Sequence, residues 1–462
     1  MPTWIGGRPV VEYSNTITIG GTWVAGETLS VTIDGVALVL TIGTSVATTD
    51  VATALQAAWE GTALGTGYSA SPYGTESARH YELVATVSGS VVTITERAFN
   101  SVTEGKQFPS ISVSETSTSG TITLGGGNTP TGPYKWSDAA NWLDGVVPVN
   151  TDTIDITGPY DIRDGLDQSA VLATATIRIP ASFINSLGLP RMRDITLASG
   201  EVESFADYRR TSLLTDNGGA ITVHIGDGDG EGSPMIKIDF GGNACAVYVY
   251  ETGDPTIETE PAVFLSNANS GSLYQFGGTV GIDFYPEDTA SIITTAYVST
   301  RAGIESEPEL IAGHTAGSTL ITSGFVKGGT ATINCALSAT YVWVCADNGI
   351  LNMRGAVDSA ALLKAYGGLI NLDSTGGTLG TLNIADGSPG VHGSVIIAGG
   401  LAALTITNCN MYSAGTSLTV EGRRSVTFTN DIIVASGLNI SDVTISIPPS
   451  AQSFKVQKAA LT

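Results

Sequence analysis

Asn348-Gly-Ile-Leu-Asn-Met353 returns as Gly367-Gly-Leu-Ile-Asn-Leu372, 19 residues further on. The reading of the whole chain works outward from that pair. Leu382–Ile384, Leu404–Ile406 and Val426–Phe428 stand 22 residues apart, and Val395–Ile397, Leu418–Val420 and Leu438–Ile440 interleave with them at 23 and then 20. A period near twenty, filled with three-residue apolar stripes and Gly/Ser/Asn turns, is the sequence form of a β-solenoid. One coil has too little apolar area to stand alone. Coils therefore stack, and their inward side chains form a continuous column. The expected class is all-β, with a β-helix over 150–447, less regular before 350.

Composition agrees. Hydrophobic residues make up 42% of the 462, but charged ones only 14%, and 57 are glycine. This suits stacked strands and tight turns better than a helical enzyme domain. The net charge of −23 excludes a Lys/Arg stripe able to offset phosphates, so nucleic acid is not an expected partner. Met1-Pro-Thr-Trp-Ile-Gly-Gly-Arg-Pro9 has neither a basic nor an apolar leader segment, and no run of about 18 apolar residues marks a membrane span. Cys245, Cys335, Cys345 and Cys409 form no CxxC pair and are expected to be buried free thiols in a reducing compartment.

Residues 1–16 read as an extended N-terminal arm able to lie on a neighbour. Residues 17–125 read as a small β-rich attachment module. Leu29, Val31 and Ile33 alternate up to Asp34-Gly35, and Leu38, Leu40 and Ile42 alternate after it, which predicts a hairpin. Thr48-Thr49-Asp50 predicts the cap of one helix, with Val51, Leu55, Ala58 and Trp59 as its apolar stripe. Leu83–Val87 and Val91–Thr95 predict a second hairpin, and Ile111–Val113 and Ile122–Leu124 edge strands. Residues 126–149 are a Gly/Pro linker and a Trp-rich cap, residues 160–215 read as coils carrying a loop insertion, and 448–462 leave the repeat at Pro448-Pro449 with Lys455 and Lys458 in a tail.

The order of hairpin, helix and hairpin resembles small modules of phage tail and other virion proteins and of bacterial surface filaments. Trp136-Ser-Asp-Ala-Ala-Asn-Trp142, with Pro148 and Asp152 ahead of the strand Thr153–Ile156, is similar to the segment that opens right-handed β-helices in autotransporter passengers and adhesin-like proteins. That resemblance implies a right-handed β-helix whose apolar column is closed by two tryptophans.

Few residues carry a chemical signal. Asp227, Asp229 and Glu231, in Gly226-Asp-Gly-Asp-Gly-Glu-Gly232, match the start of a calcium loop, but the twelfth position is Ile238 where a bidentate Glu is required. They are a calcium candidate, with a solvated turn as the plain alternative, and no other cofactor is expected. Asp283, Glu287 and Asp288 are the carboxylates to weigh for glycan cleavage, with Asp227 and Asp229 as another possibility. Lyase chemistry needs a cluster of bases, and the 20 Lys and Arg form no dense run. His80, His224, His314 and His392 are far apart and show no zinc spacing. In Tyr341-Val-Trp-Val-Cys345 the valines are the natural core set, leaving Tyr341 and Trp343 outward. Tyr248 and Tyr250 repeat that alternation. Outward aromatics would form a subunit interface, the favoured reading, or a sugar-binding surface, and the plain alternative is that they point inward and fill the column.

These observations favour a non-enzymatic structural component of a phage or similar virus particle, such as a capsid decoration, head fibre or tail accessory protein. It would be made in the host cytoplasm and carried in the virion. The partners expected are other virion proteins and copies of itself, trimers included, with no nucleic acid and no membrane. The alternatives are a receptor-binding tailspike that binds or cleaves glycans, and a bacterial surface adhesin.

Overall fold

Alternation of apolar and polar residues sets which way each strand faces, and in this chain it builds two separate cores. The computed structural model describes residues 1–33, 35–71, 80, 82–97, 111–196, 202–207, 209–216, 218–304, 306–314, 319–335, 341–373, 376–388, 390–398, 402–421, 425–447 and 456–458, and within these not the side chains of 193, 195, 196, 203 and 205. Asp34, Pro448, Pro449 and Lys455 lie outside the described residues. The larger core runs without a break from Trp4 to Val443. The smaller holds residues from Tyr13 to Ile122.

Around the larger core the chain winds a β-solenoid of about 11 turns. Among the described residues its strands form one 15-stranded and one 12-stranded sheet, with successive coils pairing in parallel. The register follows the sequence repeat: Ile350 pairs with Leu369 and Asn352 with Asn371, Val395 with Leu418, and Leu404 with Val426. Outward asparagines stack as the register dictates, with Asn371 Nδ2 donating to Asn352 Oδ1 (2.8 Å) and Asn410 Nδ2 to Asn383 Oδ1 (2.9 Å). Amides stacked this way satisfy one another, which gives asparagine its place in the repeat.

Two intervals of the repeat are corrected. Leu382 pairs with Cys409, not with Leu404, because the strands Gly377–Ala385 and Leu404–Met411 each run through a corner. Leu379 pairs with Ile406 before that corner. Gly380 allows the bend, since a Cβ there would lie 2.2 Å from the Ser359 carbonyl oxygen. The stripe Leu438–Ile440 is not a strand either. Ile440–Asp442 forms a 3₁₀ turn closed by the Asp442 carboxylate on the Asn439 N–H (2.7 Å), and Ile445 takes the position stacked on Leu418.

The start of the arm lies on its own chain. Thr3–Trp4 adds a strand beneath Thr153–Ile156, pairing Trp4 with Ile156, and the column closes on three tryptophans instead of two. Trp4, Trp136 and Trp142 are all buried. Trp142 meets Trp4 edge-on at 5.3 Å and Trp136 at 5.0 Å. A solenoid end exposes the last apolar layer, so an indole from the same chain has more to gain there than on a partner. Asn141, fully buried, fixes this closure: its Oδ1 accepts from Arg8 N (2.9 Å) and its Nδ2 donates to the Gly132 and Lys135 carbonyls.

From that closed end the chain leaves and returns, with Val11 and Thr131 exchanging backbone hydrogen bonds. Between them, among the described residues, lie two four-stranded antiparallel sheets and the helix Thr48–Glu60. Both hairpins form, and Ile111–Glu115 and Gly120–Leu124 are edge strands. The cap differs from the sequence expectation. Ala47 is the N-cap, without a side-chain bond, because Thr48 already lies inside the helix, while Gly61 (φ 68°) ends it in the left-handed region. At the far end, Val456–Lys458 adds a strand to Ile432–Val434.

Candidate functional site

The calcium candidates begin at the last residue of the strand Ala220–Asp227 and continue into the turn after it, and Asp227, Asp229 and Glu231 are all exposed. Gly226, Gly228, Gly230 and Gly232 all have positive φ, which turns the backbone sharply. Ile238, at the twelfth position, is core. Among the described residues no group of three or more His, Cys, Asp or Glu is placed to hold a metal ion.

Tyr341 and Trp343 point inward with Cys345 and all three are fully buried, so the outward orientation expected for the two aromatics is corrected. Valine and aromatic residues compete for the column, and here the neighbouring turn supplies Gly324, opposite Trp343, which leaves room for an indole. Tyr248 and Tyr250 do face outward. His224 stacks on Tyr248 (4.9 Å, 7°) and Tyr248 on Tyr274 (5.0 Å, 9°), and Tyr250 stacks on Phe276 with the Arg301 guanidinium 5.5 Å from the Tyr250 ring. Near-parallel rings at that spacing overlap face to face. The rings thus stack along the outside of successive coils.

Two further histidines have side-chain partners. The His80 ring meets Trp59 edge-on, and His392 pairs with Asp386 (2.7 Å). All four cysteines are buried and free. Burial pushes the thiols of Cys245, Cys345 and Cys409 up to about 12 and that of Cys335 to about 11, so none is poised as a nucleophile.

Asp283 is 4% exposed and accepts three hydrogen bonds, from Ser291 N (2.6 Å), Ser291 Oγ (2.7 Å) and Thr319 Oγ1 (2.7 Å). Burial nonetheless raises its pKa to about 6. Glu287 and Asp288 are drawn onto Arg191, whose guanidinium lies 2.6 Å from Asp288 and 4.0 Å from the Tyr285 ring centroid. Burial also raises Asp288, against the pull of Arg191 and Lys237.

These last residues form one wall of a groove of about 560 Å³. The antiparallel hairpin Met192–Thr196/Val202–Ala206 stands out from the solenoid at the insertion read from 160–215, and it brings Arg191 from one side and Arg209 and Arg210 from the other. The floor comes from consecutive coils, where Asp239 and Ser266 are register partners at strand ends. Arg210 lies 3.5 Å from Asp239. Arg209 is held by Asp207 through two hydrogen bonds, with Asp164 at 3.7 Å and Glu82 of the N-terminal module at 3.8 Å. Burial alone would lower its pKa, but those three carboxylates more than offset it. A cluster of bases thus exists, although none is dense in sequence. The doublet Arg209-Arg210 and the Arg-Met-Arg of 191–193 were its only sequence signal.

Behind the groove, Lys237 is 2% exposed and its Nζ has no hydrogen-bond partner among the described residues. It lies 4.5 Å from the Phe264 ring and 5.3 Å from that of Tyr285. Burial lowers its pKa to about 8, with Glu260 opposing the shift.

Compared with known proteins, the chain matches no family model, no curated protein and no solved structure. The architecture places it in a class, that of β-solenoid proteins with a small β-rich N-terminal module. That fold is compatible with tailspike or adhesin-type proteins.

Proposed function

We propose that this chain is a non-enzymatic structural component of a virus particle of the phage kind: a capsid decoration, head fibre or tail accessory protein. The observation that carries the reading is that base and rod are one piece. The two chain segments that suspend the module, joined by the Val11–Thr131 bridge, leave from and return to the tryptophan-closed end of an unbroken apolar column. Such a part acts by holding surfaces at a fixed distance, and a dry, close-packed column supplies the stiffness. In this reading it is made in the host cytoplasm and carried in the virion. It meets other virion proteins and copies of itself, trimers among them, and neither nucleic acid nor membrane.

The carboxylates fit this role. Glycoside hydrolysis needs two carboxyls roughly 5 to 10 Å apart, one a proton donor and the other free to attack or activate water. Asp283 is enclosed and fully hydrogen-bonded, and Glu287 and Asp288 share Arg191. Quantitative mass spectrometry of purified particles tests the reading, and a fixed copy number per particle is expected. Absence from particles overturns it, as does release of reducing ends from host-surface polysaccharide by the purified protein.

A further inference from the structure

We infer that the groove between the hairpin and the short sheet is a binding site for a neutral, polyhydroxylated ligand, a short stretch of uncharged glycan. The inference does not depend on where the protein resides. At about 560 Å³ the groove is of ligand-pocket size, since such sites span roughly 300–1,000 Å³.

Its charges select the ligand class. Each guanidinium already faces carboxylates of its own: Arg191 has Glu287 and Asp288, Arg209 has Asp207, Asp164 and Glu82, and Arg210 has Asp239. An anionic ligand would have to displace these partners and would meet their repulsion. A cation would have to displace the arginines in turn. A neutral hydroxyl needs neither exchange. A guanidinium offers five N–H donors, most of which one ion pair leaves unused, and a carboxylate about four acceptor positions. Asp239 Oδ1 already accepts from Gly241 N and Asn267 Nδ2, so its remaining capacity lies on Oδ2, the oxygen facing Arg210. Arg210 and Asp239, with side chains 42% and 23% exposed, set such spare donors and acceptors side by side. One hydroxyl can accept from the first and donate to the second.

The rest of the lining fits the same ligand. Ser266 and Thr289 add hydroxyls, and Met192, half exposed, gives an apolar surface for the C–H face of a sugar. The floor is rigid, because Asp239 and Ser266 are fixed by strand register and Asp239 Oδ1 also accepts from Gly241 N (2.9 Å) and Asn267 Nδ2 (3.0 Å). A preorganised polar floor reduces the ordering cost of binding.

Calorimetric titration of the full chain with short malto-, cello- and chito-oligosaccharides, and with uronic-acid oligomers of the same lengths, tests the site. Binding of at least one neutral series is expected, almost unchanged by added salt. Arg210→Ala and Asp239→Asn should each weaken it about tenfold or more. Thr289→Val, at an exposed position, should weaken it as well and serves if either charge variant fails to fold. Binding only of the uronic-acid oligomers, binding indifferent to all three substitutions, or no binding of any series overturns the inference.

Discussion

The indole of Trp343 lies on Gly324 of the neighbouring turn, so close that a Cβ at position 324 would stand 2.2 Å from the ring. The two are register partners in the long sheet, and Trp343 is fully buried. At this coil the column makes room for an indole by placing a residue without a side chain beside it.

Gly324→Ala should therefore act as overpacking and lower stability by about 1–3 kcal/mol. Trp343→Ala should leave a cavity and cost about 3–5 kcal/mol. The double variant Gly324→Ala/Trp343→Ala should be more stable than the sum of the single changes allows, because the residues share one volume. Urea denaturation of the four proteins measures this coupling. Additive effects would refute the pairing.

The three-tryptophan closure makes a second prediction. Trp4 contributes both a strand and an indole to the end of the column. Trp4→Ala should cost about 3–5 kcal/mol although it sits near the N-terminus, where substitutions are usually tolerated. Asn141→Ala should cost about 1–3 kcal/mol through the buried partners it leaves unpaired. Protease digestion that opens the Trp136–Trp142 segment in both variants, and not in the native chain, would be the accompanying sign. A Trp4→Ala protein that unfolds at the native urea concentration removes the closure.

How far the sequence could be read follows from what each feature depends on. The repeat between Asn348–Met353 and Gly367–Leu372 was legible because both its register and its period are local properties of the chain. The position of Trp4 was not, since its partner Ile156 lies across the whole inserted module. The inward turn of Trp343 was hidden because alternation shows two faces without saying which is inside, and the deciding residue, Gly324, is on another coil. The groove was the least legible. Arg191, Arg209, Asp239 and Asp288 come from different coils and an insertion, so no window of sequence contains them.

Lys237 gives a prediction in alkaline pH. Its pKa is lowered from 10.5 to about 8 by burial. The folded protein therefore binds fewer protons than the unfolded chain between these values, and stability rises with pH across that window. The contribution is complete above the unfolded value and is lost as pH falls through about 8. Lys237→Met should abolish the slope and be neutral to stabilising at pH 7, because it removes a buried, unpartnered charge while keeping contact with Phe264. Denaturation midpoints of both proteins from pH 7 to 10 measure it. Parallel curves would show that the amine stays hydrated.

Asp283 gives the opposite slope on the acid side. Burial raises its carboxyl from 3.8 to about 6, with the bonds from Ser291 and Thr319 only partly offsetting the cost of enclosing the charge. The folded state thus holds its proton more tightly than the unfolded chain. The group's contribution to stability is fully present below about pH 4 and is lost as pH rises through 6. Asp283→Asn cannot ionise, so the stability of the native protein relative to the variant should fall steadily from pH 4 to 6.5 and then level off. The variant also turns an amide N–H₂ toward donors that now bond a carboxylate, which lowers its stability at every pH without affecting the slope. Urea midpoints of the two proteins across that range decide the matter. A difference that grows with pH, or stays flat, would mean that water reaches the carboxylate and that the column is open at this coil.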